Sequence, residues 1–302
     1  MVGNHEITVS VSKKPITGSP VTIRVIPQKG LICKFGRKGS GEGDLDDAWG
    51  VMVTRDGNIR VCDRNNERLQ TFTLNGKYQS TTTFSNISTT VSPDWSTVSE
   101  DGTIFTSDGT VGQVIGHDEF GRVLRCFGKG VISYCFGIAM SPMDGRVYVV
   151  DNKGHCIHIY DQDGNYCKSF GCEGQGQGQL CKPVGIAIDG EGKAFVSDRH
   201  NHRIQVFDAE GQYLYSFGSE GSGDNQMRYP SGIALDCDGN VYVCDKGNNR
   251  VMKYESDGKF IGRIDSEDNT VDDPRSICVT DDRPLGYVVT NSKGKNIQVF
   301  SQ

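Results

Sequence analysis

The chain has no apolar run approaching the roughly 20 residues that a membrane-spanning helix needs, so no membrane partner is expected. The opening Met-Val-Gly-Asn-His-Glu has no secretory leader pattern. None of the eleven cysteines stands in a Cys-x-x-Cys pair, and their number is odd. A disulfide framework is therefore disfavoured, and reduced thiols in the cytoplasm fit best. Excess positive charge is also missing: 32 Lys and Arg stand against 38 Asp and Glu, a net charge of −6. That balance argues against a protein that coats nucleic acid, and DNA is not expected as a partner. Proline is scarce, nine residues against 39 glycines, which with 35% hydrophobic residues describes a folded, turn-rich chain.

What is present is repetition. The run Val241-Tyr-Val-Cys-Asp245, followed by Asn249-Arg250, recurs along the chain. The residues closing each such strand are Asp63, Asp108, Asp151, Asp198, Asp245 and Asn291, separated by 45, 43, 47, 47 and 46 residues. The fourth unit shows the parts most fully. Gly185-Ile-Ala-Ile and Ala194-Phe-Val-Ser read as half-buried alternating strands, with a glycine-bearing turn between them that supplies positive φ. Ile204-Gln-Val-Phe and Tyr213-Leu-Tyr-Ser-Phe217 supply two more. Four antiparallel strands per unit make one blade, so the expected fold is all-β, a six-bladed β-propeller. The second unit is the most eroded, around a serine- and threonine-rich stretch, and the sixth ends at Phe300 without a fourth strand. Leu31-Ile-Cys-Lys-Phe35 matches a fourth strand and has no blade of its own. The two ends should share the last blade, removing two open sheet edges.

Asp-x-x-Asn-x-Arg at 63–68 and 245–250, and Asp198-Arg-His-Asn-His-Arg203, resemble the NHL repeat, with Arg203 in place of the leucine of its Asn-His-Leu signature. WD-type and kelch-type blades fit less well, because only Trp49 and Trp95 are present and no Gly-Gly pair occurs. The resemblance covers 31–301. Upstream, Gly3-Asn-His-Glu-Ile-Thr-Val-Ser-Val and Ile16-Thr-Gly-Ser-Pro-Val-Thr-Ile-Arg-Val25 look like the last two strands of a filamin-type immunoglobulin repeat. Residues 1–28 are accordingly read as the remnant of such a domain and 29–302 as the propeller. Filamin followed by NHL is the arrangement of TRIM-NHL ubiquitin ligases. The resemblance implies a substrate-recruiting module whose RING domain lies elsewhere.

Recurrence of one motif in several blades points to a job common to each blade. Asp63, Arg68, Asp198, Arg203, Asp245 and Arg250 are therefore read as structural ties. Loops joining second to third strands, and one blade to the next, should emerge on one face with a positive bias. That face carries Arg37, Arg64, Lys182, Arg199, His200, Arg228, Tyr229, Lys246 and Arg275, the candidate partner-binding residues. The other face should be acidic. A protein substrate is the expected partner on the basic-biased face, with the channel mouth as its natural pocket. An RNA stem-loop, needing clustered cations and an aromatic such as Tyr229, is the alternative. The third reading is a metal-dependent propeller enzyme with histidines converging on the channel. No metal or other cofactor and no catalytic residues are expected, because no nucleophile, base and orienter can be named. His155 and His158 are read as packing or surface residues. Asp161-Gln-Asp-Gly164 and Asp236-Cys-Asp-Gly239 are read as hairpin turns, not calcium loops.

Overall fold

Each repeat places two largely buried strands between an innermost and an outermost strand. The computed structural model describes residues 10–11, 14–15, 30–265, 270–280, 286–293 and 295–301. Blade 1 consists of Ala48–Val53, Ile59–Asp63, Arg68–Phe72 and Tyr78–Thr82, and blade 2 of Pro93–Val98, Ile104–Asp108, Gln113–His117 and Val123–Phe127. Blade 3 is Cys135–Met140, Val147–Asp151, Cys156–Tyr160 and Tyr166–Phe170, and blade 4 is Ile186–Ile188, Ala194–Asp198, Arg203–Phe207 and Tyr213–Phe217. Blade 5 is Pro230–Leu235, Val241–Asp245, Arg250–Tyr254 and Phe260–Arg263. Blade 6 takes Pro274–Val279, Gly286–Asn291 and Asn296–Ser301 from the end of the chain, and Gly30–Phe35 as its fourth strand, with Ile297 opposite Phe35 and Ser301 opposite Gly30. The ring is thus closed by both ends. Of the segment read as filamin-like, only Ser10–Val11 paired with Lys14–Pro15 is described. The rest of that expectation lies outside the described residues.

One local expectation is corrected. Ala194–Asp198 is buried along its whole length rather than on alternate residues. The reason is stacking: a propeller blade is covered by a neighbour on each face, so its middle strands are buried without interruption, polar residues such as Gln70 and Gln205 included. Alternation survives in the outermost strands, such as Tyr213–Phe217.

Two devices set the distance between blades. Where innermost strands meet, a Cβ on Gly137 would lie 2.5 Å from the Val184 carbonyl oxygen. The bare backbone instead donates a 2.9 Å hydrogen bond to that oxygen. Farther out, the phenylalanine ending an outermost strand meets an aromatic ring of the next blade. The pairs Phe35–Phe72, Phe127–Tyr160, Phe170–Phe207 and Phe217–Tyr254 have centroids 4.8, 4.9, 4.8 and 4.9 Å apart. Such contacts add roughly 0.5–1.5 kcal/mol each beyond their buried area.

The aspartate ending the second strand holds the incoming inter-blade loop. In blade 4, Asp198 is fully buried. It accepts hydrogen bonds from the Cys181 backbone N–H at 2.7 Å, Arg203 Nε at 2.8 Å and Gln205 Nε2 at 3.0 Å. Asn201 bridges it to the Gly174 carbonyl, and Arg203 reaches on to the carbonyls of Gly176 and Gln179. Asp63, Asn66, Arg68 and Gln70 repeat this set in blade 1. In blade 5 the tie runs through Asp245, Asn248 and Arg250. The bridging asparagine there is Asn248. Asn249, of the Asn-Arg pair that marks the repeat in sequence, is instead the left-handed residue ending a 3₁₀ turn over Lys246–Asn248. The glycine-rich loops are what these ties grip, and each loop returns a hydrophobic plug, Leu45, Leu180 or Met227, to the core.

Blade 3 uses other residues. Its Asp151 accepts from the backbone N–H groups of Ser133, Tyr134 and Gly154, while Cys156 and His158 stand where blades 1 and 4 carry arginine and glutamine. Burial disfavours a charged imidazole there, yet contact with Asp151 and Cys156 outweighs it and lifts His158 to about 9. An imidazolium thereby replaces arginine as countercharge. In blade 2, Ser96, Thr106 and His117 continue a buried chain of contacts that starts at Cys62 of blade 1, at 3.3, 2.9 and 2.9 Å, ending on the Asp118 carbonyl at 2.8 Å.

Removing one member of a buried ion pair leaves the other desolvated. Arg203→Ala is expected to destabilise the protein by about 3 kcal/mol in urea unfolding, whereas Arg228→Ala, at an exposed side chain, should stay within about 0.5 kcal/mol. His117 is fully buried, and burial, opposed by its Asp118 hydrogen bond, lowers its pKa to about 4. Its folded value lies below the unfolded one, so its contribution is present above about pH 6.5 and is lost as pH falls through about 4, roughly 3 kcal/mol in all. Unfolding measured across that window should show a shallower decline for His117→Asn; parallel curves would contradict the assignment.

Candidate functional site

The ties gather the 3₁₀ turns and inter-blade loops on one face, and the hairpin turns emerge on the other. At the centre of the tied face, the residue following a second-strand aspartate meets the second residue of an innermost strand. Over blades 1 to 3 this space is filled. The Trp49 ring stacks on Phe136 with centroids 4.8 Å apart and meets Trp95 edge-on at 5.7 Å. The guanidinium of Arg275 lies 4.1 Å from the Trp49 centroid and that of Arg64 lies 5.4 Å away. Asp47 accepts from Trp49 Nε1 at 2.9 Å and Arg275 Nη1 at 2.5 Å. Arg64 donates to the Tyr134 hydroxyl at 2.6 Å and its Nε lies 3.1 Å from Asp94 Oδ1. Burial pushes the Asp94 carboxyl up to about 7, against the pull of Arg64 and the Gly109 N–H. Arg64 and Arg275 are therefore engaged internally. This aromatic and guanidinium cage is the largest feature that reading the sequence missed. Trp49, Phe136 and Arg275 sit at the same repeat position in different blades, with Trp95 one position later in its own strand, a signal visible only once the blades are superposed on one register.

Over blades 4 and 5 the arrangement is open. Tyr229 has φ of 49°, is 44% exposed, and sits with its ring 5.7 Å from His200 and 4.7 Å from His202. Its backbone N–H donates to His202 Nδ1 at 3.1 Å, which fixes the loop end beneath the ring. Arg228 is exposed, and its backbone N–H is anchored on Asp245 Oδ1 at 2.7 Å. Arg199 is half-buried, its Nε has no acceptor among the described residues, and the charged groups acting on it are Asp273 and Arg275. Burial and the nearby Arg199 lower the His200 pKa, favouring a neutral ring. Lys246 Nζ borders this area 3.4 Å from Asp273 Oδ1, and half-buried Lys182 is held through its backbone N–H on His155 Nδ1. Arg37 stands apart at the rim, 84% exposed and bonded to Asp44 at 2.6 Å. Of the nine candidate residues, Arg199, His200, Arg228 and Tyr229 form one patch.

On the opposite face many carboxylates are met by lysines and arginines, as in Asp163 with Arg125, Glu191 with Lys193 and Glu255 with Lys259. A cavity of about 510 Å³ opens there, lined by residues that include Arg55, Glu100, Met140, Met143 and Asp144. Among the described residues, His117, His155 and His158 do not converge on the channel, and His200 and His202 flank Tyr229. His117 is inside blade 2, His155 lies 3.3 Å from the Leu180 carbonyl, and His158 faces Asp151. The turn aspartates Asp161 and Asp236 accept hydrogen bonds from the backbone N–H groups of Asn165 and Asn240, as hairpin turns do.

The DUF5128 family, described as a 6-bladed beta-propeller, matches residues 189–302. Protein lin-41 of Caenorhabditis elegans is 36% identical over 86 residues, 26% of this chain and 8% of that protein. Protein brain tumor of Drosophila melanogaster is 29% identical over 175 residues, 54% of this chain and 17% of its own. The E3 ubiquitin-protein ligase TRIM71 of Rattus norvegicus is 34% identical over 82 residues, 25% of this chain and 10% of its own. The chain thus spans less than a fifth of the length of these relatives. Among solved structures, a protein of unknown function from Bacteroides thetaiotaomicron superposes with a TM-score of 0.71 at 16% identity, covering 89% of this chain and 76% of that one. A streptogramin B lyase does so with 0.65 at 13% identity, covering 85% and 84%. Those two likenesses speak to the fold alone. With six four-stranded blades, the recurring Asp-x-x-Asn-x-Arg tie and these relatives, the chain is an NHL-type six-bladed β-propeller, similar at modest identity to TRIM-NHL proteins.

Proposed function

We propose that this propeller is an interaction module that recruits protein substrates for a cytoplasmic ubiquitin ligase of the TRIM-NHL type, the ligase chemistry residing in a RING domain outside these residues. The observation that carries the reading is the patch around Tyr229. An exposed aromatic ring is presented on a loop end anchored from below, beside the exposed Arg228 and the half-buried Arg199. Tyr and Arg on a rigid support are the residue types that dominate protein interfaces, because they bury much surface while losing few rotamers. The similarity to a protein named as an E3 ubiquitin ligase supports the assignment of the class.

An RNA stem-loop is the second reading, favoured by the same ring lying between two imidazoles with cations close by. Unpaired bases stack on such a ring, and guanidinium groups meet the phosphates. The two readings differ in their response to salt.

The test compares wild type with Arg228→Glu and Tyr229→Ala, in crosslinking from cells and in retention of a pool of RNA hairpins at two salt concentrations. Protein recruitment predicts crosslinked proteins whose recovery falls at least about tenfold in both variants, with unchanged melting and no selective RNA retention. Steeply salt-dependent hairpin retention that flattens in Arg228→Glu would transfer the function to RNA. Equal recovery of every protein and RNA by all three chains would remove this face from either role.

A further inference from the structure

Blade 3 departs from its neighbours at three places that belong together. In blades 1, 4 and 5 the loop entering the blade runs nine residues from its glycine to its hydrophobic plug: 36 to 45, 171 to 180 and 218 to 227. In blade 3 the corresponding run, from Gly128 to Ile132, is four residues, so the glycine-rich excursion is missing. Also missing are the side chains that grip that excursion elsewhere. The position of Arg68, Arg203 and Arg250 is occupied by Cys156, and that of Gln70 and Gln205 by His158. A shorter loop would explain the loss of the grip. It does not explain why a thiol accompanies the imidazole that faces Asp151, with the donor atoms of all three within 4.8 Å of one another.

We propose that Asp151, Cys156 and His158 form a binding site for one divalent cation of the zinc class, with an open fourth position. The three donor atoms lie within 4.8 Å of one another. Cys156 Sγ is 3.5 Å from His158 Nε2, and His158 Nε2 is 3.5 Å from Asp151 Oδ2. An N–H···O hydrogen bond prefers about 2.9–3.0 Å, so the second separation is long for one. A tetrahedral zinc with bonds of about 2.0–2.3 Å to N, O and S sets its ligand atoms roughly 3.3–3.6 Å apart, which both separations match. Sulfur, imidazole nitrogen and carboxylate oxygen are together the donor set of a borderline cation, whereas calcium and magnesium take oxygen alone.

The surroundings suit such a centre. Asp151 and His158 side chains are 2% and 9% exposed, so ligands and ion would be largely shielded from water. The three backbone N–H groups on Asp151 hold its carboxylate in place, as second-shell donors hold ligands in known sites. The rings of Tyr160 and Tyr166, 6.4 and 6.1 Å from that of His158, limit its rotation. Cys156 is the half-buried member and marks the side from which an ion enters and a water or a partner's side chain takes the fourth position. On binding, the Cys156 thiol and the His158 Nε2–H each release a proton to solvent. Thiolate and carboxylate then balance the two charges of the ion, which takes over the countercharge that arginine supplies in blades 1, 4 and 5.

Cobalt(II) is the probe, since its thiolate charge-transfer and visible bands report sulfur ligation and four-coordination. Chelator-treated, reduced protein should develop both bands, saturate at one equivalent and lose them when zinc(II) is added. Cys156→Ser should abolish the charge-transfer band, and His158→Gln should weaken binding at least about tenfold. The double variant Cys156→Arg with His158→Gln installs the residue types of blades 1 and 4. It should fold and melt as a propeller while binding no cobalt at this position, which separates loss of the site from loss of the fold. No thiolate band in wild type, or an undiminished one in Cys156→Ser or in the double variant, would overturn the proposal.

Discussion

One buried carboxylate in each of blades 1, 4 and 5 is the constraint from which the tied face follows. Asp63, Asp198 and Asp245 are fully withdrawn from water, and each is satisfied by an arginine five residues on and by a backbone N–H from the loop entering its blade. Unpaired, such a group would oppose folding by several kcal/mol. Paired, it joins strand to loop and decides where the loop ends. In blade 5 the anchored N–H belongs to Arg228, so the bond that stabilises the blade also sets the place of a side chain on the candidate interaction face. Structure and recognition are coupled through one atom pair.

Departure from that arrangement gives the blades their individuality. Blade 2 gives up the arginine tie and fills its interior with a hydroxyl and imidazole chain. Blade 3 gives up both the arginine and the loop that it would hold. Blades 1 to 3 close the channel with tryptophan and phenylalanine, clamped by arginines from blades 1 and 6. The same symmetry-related positions in blades 4 and 5 carry Val184 and Ser231, with Arg199 and Lys246 after the second strands; Val184 packs into the aromatic cluster, and no ring of blades 4 or 5 extends it at these positions. The result is a ring of six similar sheets with one sealed and one accessible half.

Most of the architecture was legible in the sequence because a propeller repeats its physical requirements. The aspartate spacing, the Phe-Gly ends of the outer strands and the orphan strand before blade 1 are local patterns that each blade states again. Two things were not legible. Burial of the middle strands on both faces depends on neighbouring blades, so Ala194–Asp198 reads as half-buried when taken alone. The engagement of Arg64 and Arg275 depends on Trp49 reaching across the channel to Phe136, a contact between residues 87 positions apart. Charge on a loop says that a cation is present; only the packing shows which cations are already occupied. Cys156 and His158 were readable in principle, since laying blade 3 on blade 4 sets them against Arg203 and Gln205. A search for histidine spacing alone passes over them.

The shared sixth blade has a temporal consequence. Phe35 finds its backbone partner at Ile297, 262 residues later in the chain. During synthesis the strand Gly30–Phe35 therefore emerges before every other propeller strand and pairs last, waiting behind five blades that can already stack on one another. Until the ribosome has released the final strand, the growing arc carries two raw edges, one at the flank of blade 1 and one at its advancing end. A nascent chain in that condition is a natural client for chaperones, and the loss of even the last six residues would leave the ring permanently ajar.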